Sequence, residues 1–246
     1  MSFTTTGFLN TAAGWNALNN NIAGSHNVAI GDRALEYNTA SNNTAVGTNA
    51  LGFNTTATFN AAFGADALSI NTTGTKNTAV GFYALGTNGS GGENTAVGYN
   101  TLKFNTRWNN TAMGSEALAS STIGDFNSAF GRHALFSNTT GQLNTAIGGQ
   151  SLSNNSTGSS NTANGFQCMA ANSSGSFNTA MGEYALTFAG TSSSNTALGA
   201  KALFEIKGSH NTGIGTNALY STVNAEFNTA VGFNAGANFA SGWNNT

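Results

Sequence analysis

The chain has 246 residues, with 7 Lys and Arg against 9 Asp and Glu for a formal charge of -2. Charged residues are only 7% of it, where a typical globular protein has about a quarter; Gly occurs 32 times and Pro not at all. There is no basic field to neutralise phosphates, so nucleic acid is not an expected partner, and the surface has to be made of Asn, Ser and Thr.

Met1-Ser2-Phe3 lacks the basic start and apolar core of a secretory signal, and no apolar run approaches the ~20 residues that cross a bilayer, so neither a signal peptide nor membrane insertion is expected. The chain then settles into a repeat. Thr5-Thr6-Gly7 already fits it, and copies open at Asn10, Asn27, Asn43, Asn60, Asn77, Asn94, Asn110, Asn127, Asn144, Asn161, Asn178, Asn195, Asn211 and Asn228, with Asn245-Thr246 starting another. The steps are 17 residues, except for three of 16 that open at Asn27, Asn94 and Asn195. A short period running from end to end predicts one all-β domain over residues 1–246, a parallel β-solenoid (β-roll or β-helix) of about 14 coils. At roughly 4.8 Å per coil this is a rod on the order of 65 Å long. Neither end carries the polar cap that solenoids need, so both ends are expected to be covered, by flanking sequence or by another subunit stacked head to tail in a filament.

Within the unit, Asn77-Thr78-Ala79-Val80 reads as a short strand. Its fourth position is apolar in every copy except Asn164, and includes Val46, Val80, Val97 and Ile147; this column is assigned to the core. The third position, Ala in every copy but Gly213, points to the opposite face of the strand and is expected to let a neighbouring chain lie close. The fifth position is always Gly, which predicts a corner where φ is positive or space excludes a Cβ. Two variable residues and an Ala-Leu pair follow. The Leu column, with Leu85 and Leu118, is the second core column, and Cys168 fills an Ala slot of that pair as a small buried residue.

The unit closes on Asn-Thr-Thr-Gly, as at Asn71-Thr72-Thr73-Gly74, and the three one-residue deletions fall near this turn. Its asparagines, among them Asn54, Asn71, Asn88, Asn105, Asn138 and Asn155, are expected to form a ladder passing amide hydrogen bonds from coil to coil.

His26, His133 and His210 lie in variable columns, no Cys and His cluster has zinc spacing, and no Ser or Thr has a base placed beside it. No catalytic residue, metal or cofactor is therefore assigned, and the chain reads as a non-enzyme. The candidate binding residues are aromatics that follow the corner Gly: Trp15, Phe82, Tyr99, Phe166 and Phe233. Exposed rings there could stack on sugars or on a partner chain; equally, they could fill grooves between coils or chains.

Asn27-Val28-Ala29-Ile30-Gly31-Asp32-Arg33-Ala34 resembles the head repeat of trimeric autotransporter adhesins, and the longer unit from Asn77 to Gly91 resembles NTAVG-type repeats of bacterial surface proteins and phage tail fibres. The resemblance implies a left-handed parallel β-roll, three chains associating along their length, and contact with a host or matrix glycan or protein. The expected function is a structural or adhesive fibre segment on a cell surface or virion, self-associating as a homotrimer or filament. The alternative is an ice-binding solenoid, because Thr11, Thr44, Thr78 and eight further threonines form a rank in the second column, broken at Val28, Ala61 and Ser128.

Overall fold

The computed structural model describes residues 6–238 and 242–246; Met1-Ser2-Phe3 and Thr5 lie outside them. The chain is a parallel β-solenoid of about 14 turns, about 17 residues per turn, with no helix among the described residues. It divides into two compact units, the first ending at Asp125 and the second starting at Phe126.

The first unit carries β1 (Thr11–Ala13), β2 (Val28–Ile30), β3 (Thr44–Val46), β4 (Ala61–Phe63), β5 (Thr78–Val80), β6 (Thr95–Val97) and β7 (Thr111–Met113), each pairing in parallel with the next. The second carries β8 (Ser128–Phe130), β9 (Thr145–Ile147), β10 (Thr162–Asn164), β11 (Thr179–Met181), β12 (Thr196–Leu198), β13 (Glu205–Ile206), β14 (Thr212–Ile214), β15 (Ser221–Thr222), β16 (Ala225–Glu226), β17 (Thr229–Val231) and β18 (Gly242–Trp243). Here β8 to β12, β14 and β17 form a parallel ladder in sequence order, while β13 pairs with β15 and β16 with β18. Register pairs like with like: Ala79 lies opposite Ala96, and Val80 opposite Val97.

The two faces of each strand are the reverse of the expected arrangement. The Ala column is the inside, every member from Ala29 to Gly213 being buried, and it is closed to any neighbouring chain. The fourth column points out: Val80 is 38% exposed and Ile147 42%, while Val46 and Val97 are half-buried. The reason is space. Leu85 and Leu118, like the rest of the Leu column from Leu18 to Leu203, are fully buried, and with Met169 they are the largest side chains that are. One such side chain fills the interior of a turn, and only a methyl fits opposite it: at Gly213, an added Cβ would already lie 3.1 Å from Leu203 Cγ.

The corner glycines follow from both causes foreseen. Their φ values run from 121° to 143°, a region side-chain-bearing residues rarely adopt, and at glycines such as Gly14, Gly81 and Gly215 an added Cβ would also run into the next turn, a contact that Gly232 lacks. A Cβ on Gly81 would sit 2.5 Å from the carbonyl oxygen of Gly98. Three further corners per turn are left-handed without glycine. The Leu column has φ near 50°, and the residue two before it, as at Tyr83 or Asn100, is similar. The residue before the opening Asn has φ near 60°, as at Lys76, Phe126 and Leu143. In Gly236 the last described Leu-column position has the residue for which that conformation carries no strain.

Buried asparagines hold the turns to one another. In the opening column the side-chain oxygen of Asn60 accepts the backbone N–H of Asn77 (2.9 Å), and its amide donates to the carbonyl of Gly74 (2.9 Å). The same pair of bonds recurs at Asn77, with Asn94 and Gly91, and at Asn144, with Asn161 and Gly158. The second column passes amide to amide: Asn54 donates to Asn38 (2.7 Å), Asn71 to Asn54 (3.0 Å) and Asn88 to Asn71 (3.0 Å), and in the second unit Asn155 donates to Asn138 (2.8 Å). In short turns the corner tightens. Asn38 and Asn105 bond the carbonyls two residues on, Ala40 and Arg107, where Asn71 reaches three on to Gly74. The amide of Asn105 is thereby drawn away from the preceding turn, and Asn88 Oδ1 is left buried without a partner.

Candidate interaction surface

Side chains two apart on a strand share a face, so the outer face of each unit's main ladder presents the second and fourth columns of the repeat side by side. The second is mostly Thr, and the fourth supplies exposed apolar side chains such as Ile30, Phe63, Val80 and Met113 in the first unit, and Phe130, Ile147, Met181 and Ile214 in the second. Neither column contains a single charged residue. Charged residues lie in other columns, several of them just past the corner glycine, at Asp32, Arg33, Asp66, Glu116, Arg132, Glu183 and Lys201. An uncharged strip of Thr beside exposed apolar side chains, with Asn164 as the one polar member of the fourth column, differs from the scattered exposed apolar residues of an ordinary surface.

The five candidate aromatics, Trp15, Phe82, Tyr99, Phe166 and Phe233, are all exposed. They are spread along the turns. Phe82 and Tyr99 stack at 5.6 Å, and Arg33 lies over Trp15 at 5.2 Å from the ring centre. Phe166 begins a longer series in the second unit: it meets Tyr184 edge-on at 5.7 Å, Tyr184 meets Phe204 at 6.4 Å, and Phe204 stacks on Tyr220 at 5.1 Å and 12°. Phe188 joins it, edge-on to Phe204 at 5.2 Å. Sequence reading missed this second aromatic row. It recurs about ten residues after the opening Asn, at Tyr37, Phe53, Phe104, Phe188, Phe204 and Tyr220, and that spacing was the available sign.

Polar side chains stand beside this row. On the residues two past the corner glycine, Asn217 donates to Asn234 at 3.0 Å and Gln167 to Gln150 at 2.5 Å, two amide pairs with Tyr184 and Lys201 between them in the same column. The pair of Asn217 and Asn234, together with Tyr220, lines an open groove of about 530 Å³, with Lys201, Ala237 and Asn238.

The histidines sit against aromatic rings: His26 edge-on to Phe8, His133 beside Phe136, and His210 stacked on Phe227 at 4.7 Å. Among the described residues, no three His, Cys, Asp or Glu side chains converge as a metal site requires. Cys168 is buried and free, and its thiol donates to the carbonyl of Ala180 at 3.3 Å. Burial pushes its pKa from the ordinary 9.0 up to about 12. The polar members of its column do the same: Thr101 donates to the carbonyl of Gly114 and Ser151 to that of Ala163.

Compared with protein-family models and with curated proteins, the chain matches none.

Proposed function

We propose that the chain is a structural and adhesive fibre segment whose copies associate side by side through the outer strand faces. The observation that carries this reading is the uncharged strip of Thr beside exposed Val, Ile, Met and Phe. A second copy suits the strip for two reasons. It offers a ladder of the same pitch, so that ridges and grooves stay in phase over many turns, and it brings no charge to be stripped of water. The resemblance of the repeat to adhesin heads and tail-fibre units supports the same function, with three chains as the expected assembly and a cell surface or virion as its place.

The test is sedimentation equilibrium on the wild type and on Val80→Asp with Ile147→Asp. The expected result is a wild-type oligomer, and a variant that is monomeric with an unchanged circular dichroism spectrum. A monomeric wild type at tens of micromolar rejects the reading.

One observation favours ice binding as a second reading: Thr and the fourth column share an outward face, giving ranks such as Thr78-x-Val80 and Thr95-x-Val97. The bulk of Phe63, Met113 and Phe130 and the polarity of Asn164 interrupt those ranks. Thermal hysteresis in the monomeric variant's parent would favour ice binding over the fibre.

A further inference from the structure

We propose that the groove beside Tyr220 in the second unit is a binding site for an acidic oligosaccharide. Three features of its lining point to this class. The Tyr220 ring is held flat against Phe204, at 5.1 Å and 12°, so its plane is set before any ligand arrives. The same lining holds Asn217, Asn234 and Asn238; Asn217 donates to Asn234 at 3.0 Å, and each amide keeps further donor and acceptor positions. Lys201 is the only charged side chain in the lining, and no carboxylate among the described residues lies within salt-bridge reach of it.

A pyranose is complementary to such a lining. One face of the sugar ring is C–H and stacks on an aromatic ring, while its rim of hydroxyls matches amides in both directions. A carboxylate on the sugar would meet Lys201. Other ligands fit less well. A nucleic acid strand requires several cations along its backbone, and the groove supplies one. Among the described lining residues, an apolar peptide side chain would find only Ala237 beyond the tyrosine ring. The groove is open and shallow enough for a chain of sugars to pass across successive turns, with Tyr184 and Phe204 continuing the aromatic row past its edge.

The site lies on different columns from the outer strand face. It rests on the adhesive part of the proposed function, to which it gives a ligand, and a failed titration with self-association intact would separate the two. The experiment is calorimetric titration of the intact chain with a panel of hexasaccharides, acidic (galacturonate, hyaluronan) and neutral (cellohexaose, maltohexaose). The variants are Tyr220→Leu, which keeps apolar bulk but removes the ring, Lys201→Met, and, as a control in the first unit, Phe59→Leu, an exposed ring outside both aromatic rows. Saturable binding of an acidic member is expected, weakened about tenfold by Tyr220→Leu and about threefold by Lys201→Met, and unchanged by Phe59→Leu. Circular dichroism establishes that each variant is folded. No saturable binding of any acidic member, equal binding of neutral members, or binding indifferent to Tyr220→Leu would each overturn the assignment.

Discussion

Asn172 Oδ1 is buried without a hydrogen-bond partner, and the residue one turn on that would have to supply the donor is Ala189. Below this point the ladder is intact, since Asn172 donates to Asn155 at 2.8 Å and to the carbonyl of Gly175 at 2.9 Å. The corner above has the same length, and its Ser192 carbonyl already accepts from Asn178 as Gly175 does from Asn161. Ala189→Asn should therefore extend the ladder by one rung and raise stability by about 1 kcal/mol in urea denaturation. The reverse change, Asn155→Ala, strips a partner from Asn138 and from Asn172 and should cost at least about 2 kcal/mol. A neutral Ala189→Asn would mean that the orphaned oxygen carries no penalty.

Two glycines of one column separate crowding from backbone strain. Gly81 and Gly232 have nearly equal φ, 125° and 129°, but an added Cβ meets the Gly98 carbonyl in the first case and only Ala235 Cβ, at 3.9 Å, in the second. Gly232→Ala should cost about 1 to 3 kcal/mol from strain, and Gly81→Ala that much again from the clash. Equal losses would show that the contact between turns relaxes at no cost.

Leu143 is exposed and left-handed, at φ 57°, a conformation that costs most residues about 1 to 2 kcal/mol and Asn much less. Its column already holds Asn42, Asn109 and Asn244. Leu143→Asn is expected to stabilise the second unit by roughly 1 kcal/mol, read as a shift in the denaturation midpoint at constant slope.

Cys168 makes stability depend on alkaline pH. Because the folded thiol ionises near 12 and the unfolded one near 9.0, the unfolded state alone releases a proton between these values. The stabilisation is complete below about pH 9 and falls as the pH rises toward 12. Replacing it with Ala, the usual residue of its column, should remove that part of the decline. Thiol-reactive dye should label Cys168 only on unfolding, and rapid labelling of the native chain would show that the turn opens.

Much of this fold was legible from spacing alone. The period gives the turns, the invariant glycine gives the corner, and the recurring asparagines give the ladders. Which face of the strand turns inward was not legible. Alternation in Thr78-Ala79-Val80 separates two faces, and hydrophobicity favours burying Val80, but the interior is set by its width. Leu85 takes the room, and Ala79 is what remains compatible with it. Ala79→Leu should accordingly destabilise by about 1 to 3 kcal/mol, whereas Val80→Asp should change monomer stability by no more than about 0.5 kcal/mol. The opposite order would restore the original assignment. The left-handed corners at Leu85 and Tyr83 escaped notice for a related reason: neither residue type announces positive φ, and the fold imposes it. Of the candidate surface, the first aromatic row is visible in the sequence, whereas hydrophobicity alone assigns the outer strip to the core, and the groove at Tyr220 depends on a second row marked only by its spacing of about ten residues from the opening Asn.

Register pairs each residue with its own counterpart in the adjoining turn, as Thr162 with Thr179 and Ala163 with Ala180. A repeat removed whole, or copied whole, therefore leaves both of its neighbours facing the same residue types as before. Recombination between copies within the gene can change the number of turns in a single event and still encode a chain that folds. Where such an exchange is off by one codon, the Asn-Thr-Thr-Gly corner absorbs the difference, as it does in the turn from Asn94 to Asn110. Length in this protein can thus change by whole turns while the Ala, Leu, Gly and opening Asn columns stay in place.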